Sequence, residues 1–171
     1  MVTLAPLIRD IPDFPKKGIL FKDITTLLKE PLAFKQAIDE LTDKVQGYRP
    51  DVVIGMESRG FIFAAPIAYL LGAGFVPVRK LGKLPGQVIS TEYDLEYGTN
   101  TLELHSDAVA PGQRVLIVDD LLATGGTVSA TIELVERLQG VVTAVAFLVE
   151  LTALRGRERL DRYEVVSLIQ F

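Results

Sequence analysis

The chain contains no cysteine. Disulfides, thiolate metal ligands and cysteine nucleophiles are therefore excluded, and a cytoplasmic setting is the expectation. Histidine is confined to His105, and a lone histidine is more often structural or solvated than catalytic. Positive charge is not in excess: the net charge is −4. Nothing points to a nucleic-acid partner, and any basic site must be local. The N-terminus, MVTLAPLIRDIPDFP, lacks a basic-then-apolar leader pattern. Repeats and low-complexity linkers are absent. One long uncharged run exists, Gly60 to Val78, near the length of a membrane span. Pro66, Gly72, Gly74 and Pro77 interrupt it. It parses as a buried helix (Phe61 to Leu71), a turn and a strand (Phe75 to Val78), so no membrane association is expected. What remains, 49% hydrophobic and 23% charged residues, is the composition of a single globular domain with a sizeable core.

The stretch Arg114 to Ser129, RVLIVDDLLATGGTVS, organises the rest. Val115, Leu116, Ile117 and Val118 form an apolar run suited to a strand buried on both faces. Asp119 and Asp120 follow where that strand is expected to leave the core. Ala123, Thr124, Gly125, Gly126 and Thr127 form a small-residue loop. A helical pattern starts after it, on Val128, Ile132, Leu134, Val135 and Leu138. This order sets backbone N–H groups at a helix N-terminus, a geometry that suits a phosphate. The glycines let the backbone approach the anion. The Walker pattern is missing because no lysine follows Gly126, and G-x-G-x-x-G is missing too. Two adjacent acids cannot bind phosphate, but they accept hydrogen bonds from sugar hydroxyls or support a divalent cation. The stretch therefore asks for a ribose 5-phosphate. Its A-T-G-G-T loop and acidic pair resemble the 5-phosphoribosyl 1-diphosphate (PRPP) motif of the type I phosphoribosyltransferases.

The other segments extend this reading. Leu4, Leu7, Ile8 and Ile11 suggest a short amphipathic helix stopped by Pro12 and Pro15. Phe14 to Thr25 reads as extended and turn-rich, and residues 1–30 are expected to form an arm or hood beside a core of 31–171. A helix is expected from Pro31 to about Gln46, with Phe34, Ala37, Ile38, Leu41 and Val45 on one face and Gly47 able to end it. Asp51 to Gly55 reads as a second buried strand. Glu57, Ser58, Arg59 and Gly60 then lead into the apolar helix, and an Arg at a helix N-terminus opposes the dipole unless an anion is present. Arg79, Lys80 and Lys83, leaving the next strand, are the densest local positive charge. Gln87 to Tyr97 and Thr99 to His105 read as paired strands projecting as a flap, about residues 80–105. Val141 to Val149 is a further strand. Thr152 is the expected cap of a short helix, Ala153 to Leu160, and Glu164 to Ile169 is the last strand. The alternation predicts an α/β fold with a mainly parallel sheet.

FPKKGILFKDIT, GMESRGFIF, VRKLGKLPG, LEYG, VDDLLATGGT and VELTALRGRERL occur in the order found in the adenine phosphoribosyltransferase family, across nearly the whole chain. The resemblance implies the type I phosphoribosyltransferase fold and the reaction adenine + PRPP → AMP + diphosphate, a step of purine salvage, with Mg²⁺. It assigns the ribose hydroxyls to Asp119 and Asp120, and the 5-phosphate to Ala123, Thr124, Gly125, Gly126 and Thr127. It gives diphosphate to Glu57, Ser58, Arg59 and Gly60, with a cis peptide between Glu57 and Ser58. Arg79 would reach the diphosphate of a partner subunit in a homodimer, with Lys80 and Lys83 nearby. Leu20, Lys22 and Leu151 would hold adenine; the catalytic residues would be Glu96, on the flap, assisting the base, and Arg59, neutralising the leaving diphosphate. Mg²⁺ would be bound through PRPP, diphosphate and water, with no direct protein ligand. A 6-oxopurine enzyme is the first alternative. Such relatives usually carry a lysine in the neighbourhood of Phe147 to Leu151, where this chain has none. A non-enzymatic PRPP-sensing regulator is the second, but it would need an appended nucleic-acid-binding element for which no length is left.

Overall fold

The computed structural model describes residues 2–94 and 99–171. The chain divides into two compact units, one ending at Glu40 and the other spanning Leu41–Phe171. The division falls within the helix Pro31–Val45.

In the first unit a 3₁₀ turn (Ala5–Leu7) precedes a two-stranded antiparallel ribbon, β1 (Arg9–Pro12) and β2 (Leu20–Asp23). The helix expected around Leu4 to Ile11 does not form. Ile11 lies in β1 opposite Phe21. The reason is cross-strand charge: Arg9 faces Asp23 and Asp10 faces Lys22 in the register, and directly opposed unlike charges favour pairing over helix. Arg9 Nε donates to Asp23 Oδ2 at 3.1 Å, and Lys22 Nζ stands 2.6 Å from Asp10 Oδ1. Asp23 also accepts from the Thr25 N–H (2.9 Å) and hydroxyl (2.7 Å), starting α1 (Thr25–Leu28). These bonds, led by Arg9, hold the Asp23 carboxyl down at about 2. Of the apolar face expected for α2 (Pro31–Val45), Ala37, Ile38, Leu41 and Val45 are buried and Phe34 is half-buried, and Ala33 is buried as well. It runs into a 3₁₀ turn, Gln46–Tyr48, that contains Gly47, and Arg49 (φ 45°) takes the left-handed position instead.

The second unit is a seven-stranded sheet. Its strands are β3 (Val52–Met56), β4 (Gly74–Lys80), β5 (Val88–Asp94), β6 (Thr99–His105), β7 (Arg114–Leu122), β8 (Val141–Glu150) and β9 (Val165–Gln170), in the order β5-β6-β4-β3-β7-β8-β9. β4, β3, β7, β8 and β9 are parallel, while β6 pairs antiparallel with both β4 and β5. α3 (Gly60–Leu71) and α4 (Gly126–Arg137) are the crossovers after β3 and β7. Strand alternation divides the core. Ile54, Met56, Val115, Ile117, Val145 and Phe147 pack with Val128, Ile132, Leu134 and Val135 of α4. Gly55 faces α3 so closely that a Cβ there would lie 2.8 Å from the Ala64 Cβ. The β5–β6 hairpin is not a free projection. Leu102 and Leu104 are buried in the core, and β6 meets β4 at Arg79↔Glu103 and Lys80↔Leu102.

The single helix expected from Ala153 to Leu160 is replaced by two 3₁₀ turns, Thr152–Leu154 and Gly156–Leu160, divided by Arg155 at φ 52°. Thr152 caps nothing. Its hydroxyl donates to the Phe171 carbonyl at 2.8 Å. The turns are tied down by Arg157, whose Nε and Nη2 donate to Glu150 Oε1 (3.0 Å) and Oε2 (2.6 Å). Ser167 and Gln170 donate to the same carboxylate. This buried group is held at about 2, chiefly by Arg157, against an ordinary 4.5. A depressed carboxyl stabilises fully above its unfolded value and loses that contribution as pH falls toward the folded one. Wild-type protein should therefore exceed Glu150→Gln in unfolding free energy by about 2 kcal/mol at pH 7. The gap should shrink steadily from pH 4.5 toward pH 2 in denaturant titrations.

Candidate active site

β3 and β7 are neighbours and parallel, with Gly55 opposite Val118. From β3 the chain crosses by α3 to β4 on one side. From β7 it crosses by α4 to β8 on the other. Connections thus diverge outside the carboxyl ends of two adjacent strands, where open α/β sheets form their ligand crevice. Both loops singled out in the sequence start there.

The first loop, after β7, is the phosphate candidate. The strand does not end before the acids. It carries Asp119 and Asp120 within β7 and stops at Leu122, because β8 continues alongside as far as Leu122↔Glu150. Gly125 adopts φ 83°, the left-handed conformation that turns the chain into α4 at Gly126. Ala123, Thr124, Gly125, Gly126 and Thr127 line one hollow together with Asp119. The N–H groups of the first helical turn have no intrahelical acceptor, so the hollow is electropositive at its floor. Thr131 fixes the helix from behind, donating to Met56 Sδ at 3.1 Å and to the Thr127 carbonyl at 3.0 Å.

The second loop, after β3, contains the cis peptide Glu57–Ser58 expected from the resemblance. Its end abuts the acids: a Cβ added at Gly60 would sit 2.7 Å from Asp119 Oδ1 and 3.0 Å from the Val118 carbonyl. Only glycine lets α3 begin this close to β7. Arg59 Nε stands 2.8 Å from Asp120 Oδ2. Asp119, Asp120, Arg59 and the phosphate loop therefore share one site. Both carboxyls are pushed above the ordinary aspartate range. Burial is the main cause for each; the neighbouring Asp120 charge adds to it at Asp119, and Arg59 opposes it at Asp120. Asp119 is closely surrounded yet keeps an edge open to solvent, whereas Asp120 is buried.

A second cluster lies at the end of β4. Arg79 and Lys80 are its last residues rather than part of the following loop. Arg79 Nη2 donates to Glu57 Oε1 at 2.9 Å, and the Lys80 N–H donates to Glu57 Oε2 at 3.0 Å. The Glu57 carboxyl is lowered, first by Arg79. Arg79 Nη1 also donates to the Lys83 carbonyl at 3.1 Å. Glu57 thus points its side chain at Arg79 and locks the β3 loop to β4. Lys80 and Lys83 are exposed beside it. His105 lies 2.8 Å, by Nε2, from the Pro85 carbonyl and so bridges the two sides of the 80–105 segment.

Leu20, in β2, is 49% exposed, while Lys22 is engaged with Asp10. Leu151 follows β8 and donates its N–H to Leu122 at 2.9 Å. Glu96 lies outside the described residues. The residues that sequence reasoning missed are Glu150, Arg157 and Gly156. They lie in the stretch VELTALRGRERL, but their contacts run across two turns and a strand end, so no periodicity in it shows which of them meet. Among the described residues there is no group of three or more His, Cys, Asp or Glu able to hold a metal ion. No helix among them is long and apolar enough to cross a membrane.

Comparison with known proteins agrees with this geometry. The Phosphoribosyl transferase domain family matches residues 24–170. The adenine phosphoribosyltransferase of Roseiflexus sp. (strain RS-1) is 59% identical over 168 residues, 98% of each chain. The crystal structure of adenine phosphoribosyltransferase from Thermoanaerobacter pseudethanolicus is 58% identical, with a TM-score of 0.96 over 98% of each chain. The Saccharomyces cerevisiae enzyme, solved with an imino-altritol bisphosphate and adenine, is 40% identical, with a TM-score of 0.92 over 96% of each chain. A two-loop crevice at the β3/β7 switch point, on a chain of this similarity, makes this protein a member of the adenine phosphoribosyltransferase family with the type I phosphoribosyltransferase fold.

Proposed function

We propose that the crevice transfers the 5-phosphoribosyl group of PRPP to adenine, releasing AMP and diphosphate, as a reaction of purine salvage. The observation that carries this reading is the meeting of a phosphate loop, two carboxyls and Arg59 at adjacent strand ends. Each matches one part of PRPP. The 5-phosphate binds on the N–H groups of Ala123 to Thr127. The ribose hydroxyls donate to Asp119 and Asp120. The diphosphate binds on the backbone of Ser58 and Gly60 and on the Arg59 guanidinium.

Diphosphate leaves as positive charge grows on the ribose, so the site must hold the ribose end fixed and neutralise the leaving group. Arg59 serves the second need: it sits on Asp120 until PRPP arrives, then moves to the diphosphate and frees the carboxylate for hydroxyls. A magnesium ion would enter on PRPP and be held through its phosphates and water, since Asp119 and Asp120 are taken by the ribose hydroxyls and the described residues offer no cage of their own. Its chemistry there is to neutralise the leaving diphosphate.

Leu20, Lys22 and Leu151 are the proposed adenine contacts. Glu96 is the proposed support for the reacting base. Glu96→Gln should slow single-turnover AMP formation about tenfold, and an unchanged rate would remove Glu96 from the reaction. Tyr69, Leu70 and Phe75 are large exposed apolar side chains at 85%, 50% and 40%, which supports a homodimer in which Arg79 reaches the partner's diphosphate. The absence of cysteine supports a cytoplasmic location. The activity is tested by PRPP-dependent diphosphate release with adenine, hypoxanthine and guanine in parallel. Release with adenine alone is expected. Release with a 6-oxopurine would reassign the base, and none with any base would favour a PRPP-sensing regulator.

A further inference from the structure

Gly156 lies flush against the back of the phosphate loop. A Cβ there would come within 2.2 Å of the Ala123 carbonyl oxygen, 2.9 Å of Leu122 Cδ1 and 3.1 Å of the Ala123 carbonyl carbon. The contact is reciprocal: a Cβ at Gly125 would meet the Gly156 carbonyl oxygen at 2.8 Å. The backbone of the loop and that of residue 156 therefore touch, with no room for a Cβ at Gly125 or at Gly156. Gly156 is required by space, in contrast to Gly125, whose left-handed φ of 83° also requires glycine.

The segment that carries Gly156 is itself anchored. Arg157 bonds Glu150 through two nitrogens and donates by Nη1 to the Val165 carbonyl at 2.9 Å. The Leu151 N–H donates to Leu122 at 2.9 Å, and the Thr152 N–H to Phe171 at 2.9 Å. These bonds tie the turns to the carboxyl ends of β7 and β8, to Phe171 just past β9 and to Val165 at the start of β9; the phosphate loop springs from that same end of β7. A glycine packed against a loop carbonyl, on a segment fixed at several points, is a stop that sets where the loop can sit.

We infer that residues 151–160 form a buttress for the phosphate loop, and that Gly156 is a positioning residue for the 5-phosphate of the substrate. This rests on the assignment of Ala123 to Thr127 to that phosphate. Because the atom opposing a Gly156 side chain is a backbone oxygen, an added methyl cannot be accommodated by a rotamer change. It must displace Ala123 and the N–H groups that follow it.

Gly156→Ala in the full-length chain tests this, with ribose 5-phosphate and AMP as ligands measured by calorimetry, and diphosphate as the control. Wild type must bind ribose 5-phosphate; failure there overturns the loop assignment itself and not the buttress. Given that binding, the variant should raise the Kd of ribose 5-phosphate and the KM for PRPP roughly 10- to 100-fold. The Kd for diphosphate should stay within about twofold. A fall in Tm with unchanged ribose 5-phosphate affinity would make Gly156 merely structural and overturn the proposal. Should Gly156→Ala not fold, Arg157→Lys loosens the same anchor without adding atoms. A several-fold weaker ribose 5-phosphate affinity supports the buttress there, and unchanged affinity overturns it.

Discussion

Arg59→Ala should lower kcat/KM for PRPP by about 10²- to 10³-fold, the usual cost of removing one group that stabilises charge in a transition state. The protein should remain folded, since the Arg59 side chain is 36% exposed. A second consequence separates Arg59 from an ordinary binding cation. Its charge works against the upward shift of both Asp119 and Asp120. Without it, burial and mutual repulsion act unopposed, and both carboxyls move further up. They then hold protons to higher pH, so the acid limb of the kcat/KM profile should shift toward alkaline pH in the variant. Initial rates from pH 5.5 to 9 measure this. A uniform loss with no change in profile would mean that Arg59 does not govern the acidic pair.

Asp120→Asn should raise the KM for PRPP by roughly 10- to 100-fold, because a neutral amide replaces a charged acceptor for the ribose hydroxyls. Its stability should move the other way. A carboxyl whose folded pKa is raised above its unfolded value stabilises the fold while protonated, below that unfolded value. The contribution is lost as pH rises toward the folded pKa. At neutral pH the buried Asp120 therefore opposes folding, and it also raises Asp119. Asparagine removes both effects, and Arg59 can turn to solvent. The variant should match or exceed wild-type Tm at pH 7.5, with the advantage fading toward pH 4. A clear drop in Tm at neutral pH would show that the Arg59–Asp120 pair is a net stabilising contact. Function held at a cost in stability is the expected signature of a binding site.

The central strand, glycine loop and helix were legible in the sequence because each carries a local signal: an apolar run, a small-residue turn and a helical period. The pair Asp119 and Asp120 was legible as a site but not as part of a strand. Their polarity reads as an exit from the core, while the ladder to β8 extends β7 to Leu122. Arg59 and Asp120 are sixty-one residues apart, 120 − 59, and meet only because β3 and β7 are neighbours across a crossover. No local pattern encodes that adjacency. The same holds for Arg79 and Glu57, which the β3–β4 pairing brings together. The structure departs from the sequence pattern where tertiary bonds override propensity. Charges pairing across β1 and β2 replaced an amphipathic helix, and the Arg157–Glu150 anchor and the packing of Gly156 broke the expected helix over 153–160.

A crystal structure with PRPP or ribose 5-phosphate bound tests the central claim most directly. The 5-phosphate should lie within hydrogen-bond distance of the backbone N–H groups of Thr124 to Thr127. The ribose hydroxyls should lie on Asp119 and Asp120, with Arg59 turned away from Asp120. A phosphate bound instead at the start of α3, with the 123–127 hollow empty and Arg59 still on Asp120, would contradict the account.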